Sequence, residues 1–153
     1  MRRFVITTIT AVLLTVTLHG GGFALRVDPV YTSPEARAKH AVLLAHITSC
    51  AAPEKTTVTA TAEGIVNGKR ATMPLKVVKL AEPGGFAVVR EWPQEGEWVI
   101  KLVATHPQFG SYATGILAPV AGAGEASPAT AKIYSHAPTS DDVEGALRHA
   151  TLE

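Results

Sequence analysis

The chain has one cysteine in 153 residues, and that scarcity removes the most common support of small exported domains. With Cys50 alone, no intramolecular disulfide can form, so the fold has to be held by its buried core. Aromatic residues are scarce, at 6%. Charge of one sign is scarce too: fourteen Lys and Arg stand against thirteen Asp and Glu, in no extended run. A nucleic-acid binder clusters its basic residues to meet a phosphate backbone. The densest basic group here, Lys69, Arg70, Lys76 and Lys79, instead spreads along one expected strand, where lysine commonly protects an edge. Sequence signatures of catalysis are also missing. There is no Gly-x-Ser-x-Gly elbow, no His-Glu-x-x-His helix, no phosphate loop and no calcium loop. No enzyme activity and no cofactor is implied.

Nor does the chain contain an apolar run long enough to span a bilayer. The longest one begins after Arg2 and Arg3 and runs uncharged over residues 4–18, about 15 residues against the ~20 that a spanning helix needs. A positive start, a short apolar stretch and then small residues make the pattern of a secretory signal peptide. Gly22-Phe23-Ala24 puts small residues at the two positions a signal peptidase inspects, so residues 1–24 are read as the leader, cut after Ala24. Loss of Arg2 and Arg3 then leaves twelve basic residues against thirteen acidic ones, a net charge of −1 with His neutral. The expected location is periplasmic or extracellular, with no stable membrane span after cleavage. Ile47-Thr48-Ser49-Cys50 resembles a bacterial lipobox, but it lies deep in the chain and His46 breaks the apolar stretch before it.

The remaining chain suits one domain with a sizeable core. Ser33-Pro34-Glu35 has the chemistry of a helix start, and a helix is expected over residues 34–47. It lies in an N-terminal extension, residues 25–54, that ends near Pro53. From Thr56 the period becomes alternating, with Thr57, Thr59 and Thr61 against Val58, Ala60 and Ala62. Asn67-Gly68 marks a tight hairpin. The return strand, residues 69–80, carries Pro74, which suits an edge or a bulge. Strands follow over 86–92, 97–105, 111–118 and 130–135, separated by Pro83-Gly84-Gly85, by Pro93-Gln94-Glu95-Gly96 and by other turns. Residues 55–120 form the expected core of the domain. Residues 121–129, rich in Ala and Gly, are read as a linker or long loop. The last unit, residues 130–153, holds a strand and then an amphipathic helix opened by Ser140-Asp141-Asp142. Six short strands at regular spacing indicate a mainly β fold, a small antiparallel β-sandwich with a helix at each end.

Pro83-Gly84-Gly85-Phe86 followed by Trp92-Pro93-Gln94-Glu95-Gly96-Glu97-Trp98 resembles the exported immunoglobulin-type modules of the YtkA and FixH kind. Those share a proline-glycine-x-aromatic turn, a strand, a proline-containing turn and a glycine-x-tryptophan entry into an alternating strand. The likeness spans about residues 83–105 and implies an immunoglobulin-like sandwich in the cell envelope, in company that includes copper and oxidase-assembly proteins. The helices at both ends depart from that pattern.

Metal chemistry would need clustered soft or imidazole ligands. His40, His46, His106, His136 and His149 are scattered, and only His46 with Cys50 has local spacing, four apart on a shared helix face if the helix continues. Two such ligands do not make a metal site. Surface recognition is the better-supported class. Trp92 and Trp98 bracket a proline-containing turn, and Phe109 and Tyr112 flank the loop that starts at His106. Trp98 is expected in the core. Burial is also the commoner fate of rings such as Trp92 and Tyr112, but facing outward they would form an aromatic ledge. Trp92, His106, Phe109 and Tyr112 are therefore the candidate partner-binding residues, for an envelope or extracellular protein or glycan. The expected function is a non-catalytic accessory module that binds or docks in the envelope. The alternatives are a periplasmic copper-handling protein and a carbohydrate-binding module.

Overall fold

The structure, a computed structural model, describes residues 23–48, 52–120 and 124–150. Cys50 and the expected leader up to Gly22 lie outside the described residues. Among the described residues no helix is long and apolar enough to cross a membrane. The chain is mainly β and forms two antiparallel sheets. One holds four strands: β1 (Ala24–Asp28), β2 (Ala41–Thr48), β5 (Val77–Lys79) and β6 (Gly85–Val89), in the order β1-β2-β6-β5. The other holds β3 (Thr57–Val66), β4 (Lys69–Leu75), β7 (Glu97–Thr105), β8 (Ala113–Val120) and β9 (Lys132–Tyr134), in the order β4-β3-β7-β8-β9.

The core lies between the sheets. Leu25, Val27, Leu43, Ala45, Ile47, Phe86 and Val88 come from the first sheet and meet Ala60, Ala62, Trp98, Ile100, Leu102, Ala104, Ile116 and Ala118 from the second. Trp98 fills its place because the residue opposite it is Gly64. A Cβ at Gly64 would sit 2.6 Å from Trp98 Cδ2, so the large ring and the bare backbone fit each other.

Several expected elements form as the local chemistry dictates. Asn67 and Gly68 both take positive φ, 50° and 72°, and close the β3–β4 hairpin between Val66 and Lys69. Pro74 lies on β4, an edge strand, where its missing N–H breaks no ladder on the outer side. Helix α2 (Ser140–Ala150) turns Val143 and Leu147 onto Val99 and Leu117, adding a third layer over the outer face of β7 and β8. Thr139, one residue before Ser140, caps it: its hydroxyl and its backbone N–H both donate to Asp142, at 2.7 and 2.8 Å.

The helix expected over residues 34–47 is corrected. Helix α1 starts as foreseen, with the Ser33 hydroxyl accepting from the Ala36 N–H at 3.1 Å, but it covers only Pro34–Ala38. His40 then takes φ 53°, and the chain leaves as strand β2. The physical reason lies on both faces of that strand. Leu43, Ala45 and Ile47 enter the inter-sheet core, while Ala41 and Leu44 pack outward against Val30, Ala36 and Ala87 under α1 and the short 3-10 turn before it. A strand buried on both sides reads as an unbroken apolar run, which periodicity cannot tell from a buried helix. Residues 25–54 are accordingly no extension; they supply β1 and β2, half of the four-stranded sheet. Processing at the lipobox-like stretch would remove both strands.

One further expectation changes. The return strand over 69–80 is two strands in different sheets, parted at Lys76. There the Lys76 N–H is taken by the Glu91 carboxylate at 3.1 Å, and its carbonyl accepts from Val89 N–H at the same distance. The described part of the 121–129 segment is pinned: Ala126 is buried and its N–H donates to the Val42 carbonyl at 2.7 Å.

Candidate functional site

Strand β7 separates the four candidate residues into two places. Trp98 is its second residue and His106 follows its last, so the two lie roughly 25 Å apart at the strand rise of ~3.3 Å per residue. Trp92 belongs with Trp98, its ring centre 6.4 Å away, and is 5% exposed. The Arg90 guanidinium covers its ring at 5.1 Å. Trp92 therefore forms no outward ledge. It is core because β6 delivers it straight into the turn beneath Trp98. Its indole N–H is buried with no hydrogen-bond acceptor among the described residues.

At the opposite end His106, Phe109 and Tyr112 come together around a fourth ring, Phe23. Phe23 stacks on Phe109 with centroids 5.2 Å apart and an interplanar angle of 28°, and meets Tyr112 edge-on at 5.6 Å. His106 packs against both phenylalanines at 5.5 and 6.0 Å. Such offset and edge-on pairs are the arrangements that ring quadrupoles favour, each worth about 0.5–1.5 kcal/mol beyond burial.

His106 serves as the fastener of this end. It is 2% exposed and stands at the start of a short 3-10 turn, Pro107–Phe109. Its Nδ1 accepts from the Gln108 N–H at 3.1 Å, which leaves the proton on Nε2 to donate to the Ala52 carbonyl at 3.0 Å. Both ring nitrogens are thus used within the protein. The outcome is an aromatic cap with a fixed base, Phe23 and His106, a half-buried Phe109, and a Tyr112 ring that is 39% exposed. Sequence reading foresaw three of these residues. It missed Phe23, which the expected cut assigned to the leader.

A second polar cluster lies on the outer face of the four-stranded sheet. Arg26 and His46 are partners across β1 and β2. Arg26 donates to Asp28 through Nε and Nη2 at 3.1 and 2.9 Å, and the same Asp28 oxygen lies 2.6 Å from His46 Nδ1. His46 Nε2 faces Glu82 at 3.1 Å. The carboxylates thus sit on opposite sides of the ring, in a relay that ties β1, β2 and the turn before β6 without converging on one point. Among the described residues no group of three His, Cys, Asp or Glu side chains can hold a metal ion. The spacing of His46 and Cys50 loses its meaning because His46 lies on a strand, and Cys50 is outside the described residues.

An open cleft of about 480 Å³ runs between α2 and strands β8 and β9, lined among others by Leu117, Lys132, Tyr134, Asp141, Ala146 and His149. Beside it the Asp142 carboxyl is held below the usual carboxylate range, first by the Thr139 hydroxyl and then by the Thr139 N–H. That serves the helix cap, since a negative charge there suits the positive end of α2.

No protein family, curated protein or solved structure compared with the chain gives a significant match.

Proposed function

We propose that this chain is an exported, non-catalytic immunoglobulin-type module that docks an envelope protein through the aromatic cap around Phe109 and Tyr112. The strand order supports the immunoglobulin-type reading. Lettered in chain order, β1-β2-β6-β5 corresponds to A-B-E-D, and β3-β7-β8 to C-F-G, the two sheets of the constant-type sandwich. β4 and β9 are then added edges. The short leader-like start and the likeness of residues 83–105 to the YtkA and FixH kind support export.

The observation that carries docking is the cap itself: an exposed tyrosine beside a half-buried phenylalanine, on a base already stiffened by Phe23 and His106. A preorganised aromatic at a loop end gives contact area while losing little conformational freedom on binding. A single outward ring favours a protein anchor over a glycan platform, which would need broader stacking. The copper-handling alternative draws no support from His46 and His106, whose ring nitrogens all have partners in the protein.

A photoreactive phenylalanine analogue placed at Tyr112 tests this in intact cells. Tyr31, 72% exposed on the 3-10 turn before α1, is the control. A discrete protein adduct from position 112, weak or absent from position 31, is expected. Equal adducts from both positions, or a glycan adduct from position 112, would overturn the reading.

A further inference from the structure

The start of β1 limits where a leader can end. Phe23 is 1% exposed and its ring is the hub on which Phe109, Tyr112 and His106 pack. The next residue, Ala24, is already in the sheet: it pairs with Thr48, whose hydroxyl donates to the Ala24 carbonyl at 3.3 Å. A cut after Ala24 would discard that ring and the first pair of the β1–β2 ladder. Two residues upstream the same small-x-small pattern recurs, because Gly20 and Gly22 stand to the bond after Gly22 as Gly22 and Ala24 stand to the bond after Ala24.

We infer that the mature chain begins at Phe23, through hydrolysis of the Gly22–Phe23 bond by a signal peptidase. One water adds across the amide, leaving a carboxylate on Gly22 and an ammonium on Phe23. The inference rests on the export reading above and adds to it that the leader and the fold meet without overlap. The cut then spares every residue of the aromatic cap, so the docking surface comes into existence only in a chain that keeps its first ring.

Expression of the full chain with its own leader in a bacterial host, followed by intact mass and N-terminal sequencing of the envelope fraction, decides the matter. A chain starting at Phe23 is expected. One starting at Leu25 would overturn this inference and leave export standing, whereas a chain retaining Met1 would overturn both. Two substitutions separate the sites without depending on how the domain folds, since the new N-terminus is read directly by sequencing. Gly20→Leu alters only the upstream pattern and should abolish the start at Phe23, while Ala24→Leu alters only the downstream one and should leave that start intact. The reverse result would refute the assignment.

Discussion

Adding one methyl group at Gly64 should unseat Trp98, and the loss should be recoverable by shrinking the ring. In Gly64→Ala the new Cβ would lie 2.6 Å from Trp98 Cδ2 and 2.8 Å from the Glu97 carbonyl, closer than real Cβ atoms come. Both atoms belong to β7, which lies in the middle of its sheet, so neither can swing away. Overpacking of this kind costs about 1–3 kcal/mol. Replacing glycine in a strand returns ~0.5–1 kcal/mol of chain entropy, so the net destabilisation should be about 1–2 kcal/mol. Trp98→Leu alone removes part of a fully buried ring and should cost about 2–3 kcal/mol in cavity and transfer terms. In the double variant the methyl group finds the space the indole has left, so the two costs should fall short of additivity by ~1–2 kcal/mol. Urea unfolding of all four proteins, read by far-ultraviolet circular dichroism so that loss of the indole does not alter the signal, completes the cycle. Strict additivity would mean that Trp98 does not rest on Gly64, and the packing of the sheet centre described above would be wrong.

Further outcomes are expected. Both tryptophans are buried, at 5% and 1% exposure, so iodide should barely quench the native emission; efficient quenching that disappears in Trp92→Phe would place Trp92 at the surface. Among the described residues the Trp92 N–H has no acceptor, so Trp92→Phe should lose only the packing of the larger ring, about 1–2 kcal/mol in urea unfolding, and unchanged stability would show that the ring is not packed in the core. His106→Phe leaves the Ala52 carbonyl and the Gln108 N–H without their partner and should cost about 1–3 kcal/mol with weaker Tyr112 crosslinking; unchanged stability would remove His106 from its role as fastener. The folded-state pKa of Asp142 is depressed, so its stabilising contribution is present above the unfolded value and lost as pH falls through the folded one. Thr139→Ala should therefore lower stability at neutral pH and raise the Asp142 titration midpoint seen by NMR, and an unmoved midpoint would refute the cap.

How far the fold could be read differs from strand to strand. β3, β7 and the Asn67-Gly68 hairpin were legible because alternation and positive φ are properties of a few adjacent residues. β2 was not, because its second apolar face has meaning only once α1 lies over it. The break at Lys76 was hidden as well: nothing local says that β4 and β5 pair with different sheets. Among the candidate site residues, His106, Phe109 and Tyr112 fall within one loop, and their proximity was readable. Phe23 joins them from more than 80 positions away, and only the packing of β1 shows that it must.

By itself, then, the sequence determined what short-range chemistry can determine: a chain without a disulfide, a short apolar start with a positive end, alternating strands, a capped C-terminal helix and a glycine-x-tryptophan strand entry. The tertiary structure decided which apolar residues are inside and which rings meet. It sent Trp92 into the core, turned an expected helix into an inner strand, and made Phe23 the base of the one aromatic surface among the four candidates. The reason is that burial on both faces, sheet exchange and ring contact depend on neighbours distant in the chain, and those neighbours exist only after the two sheets have closed on each other.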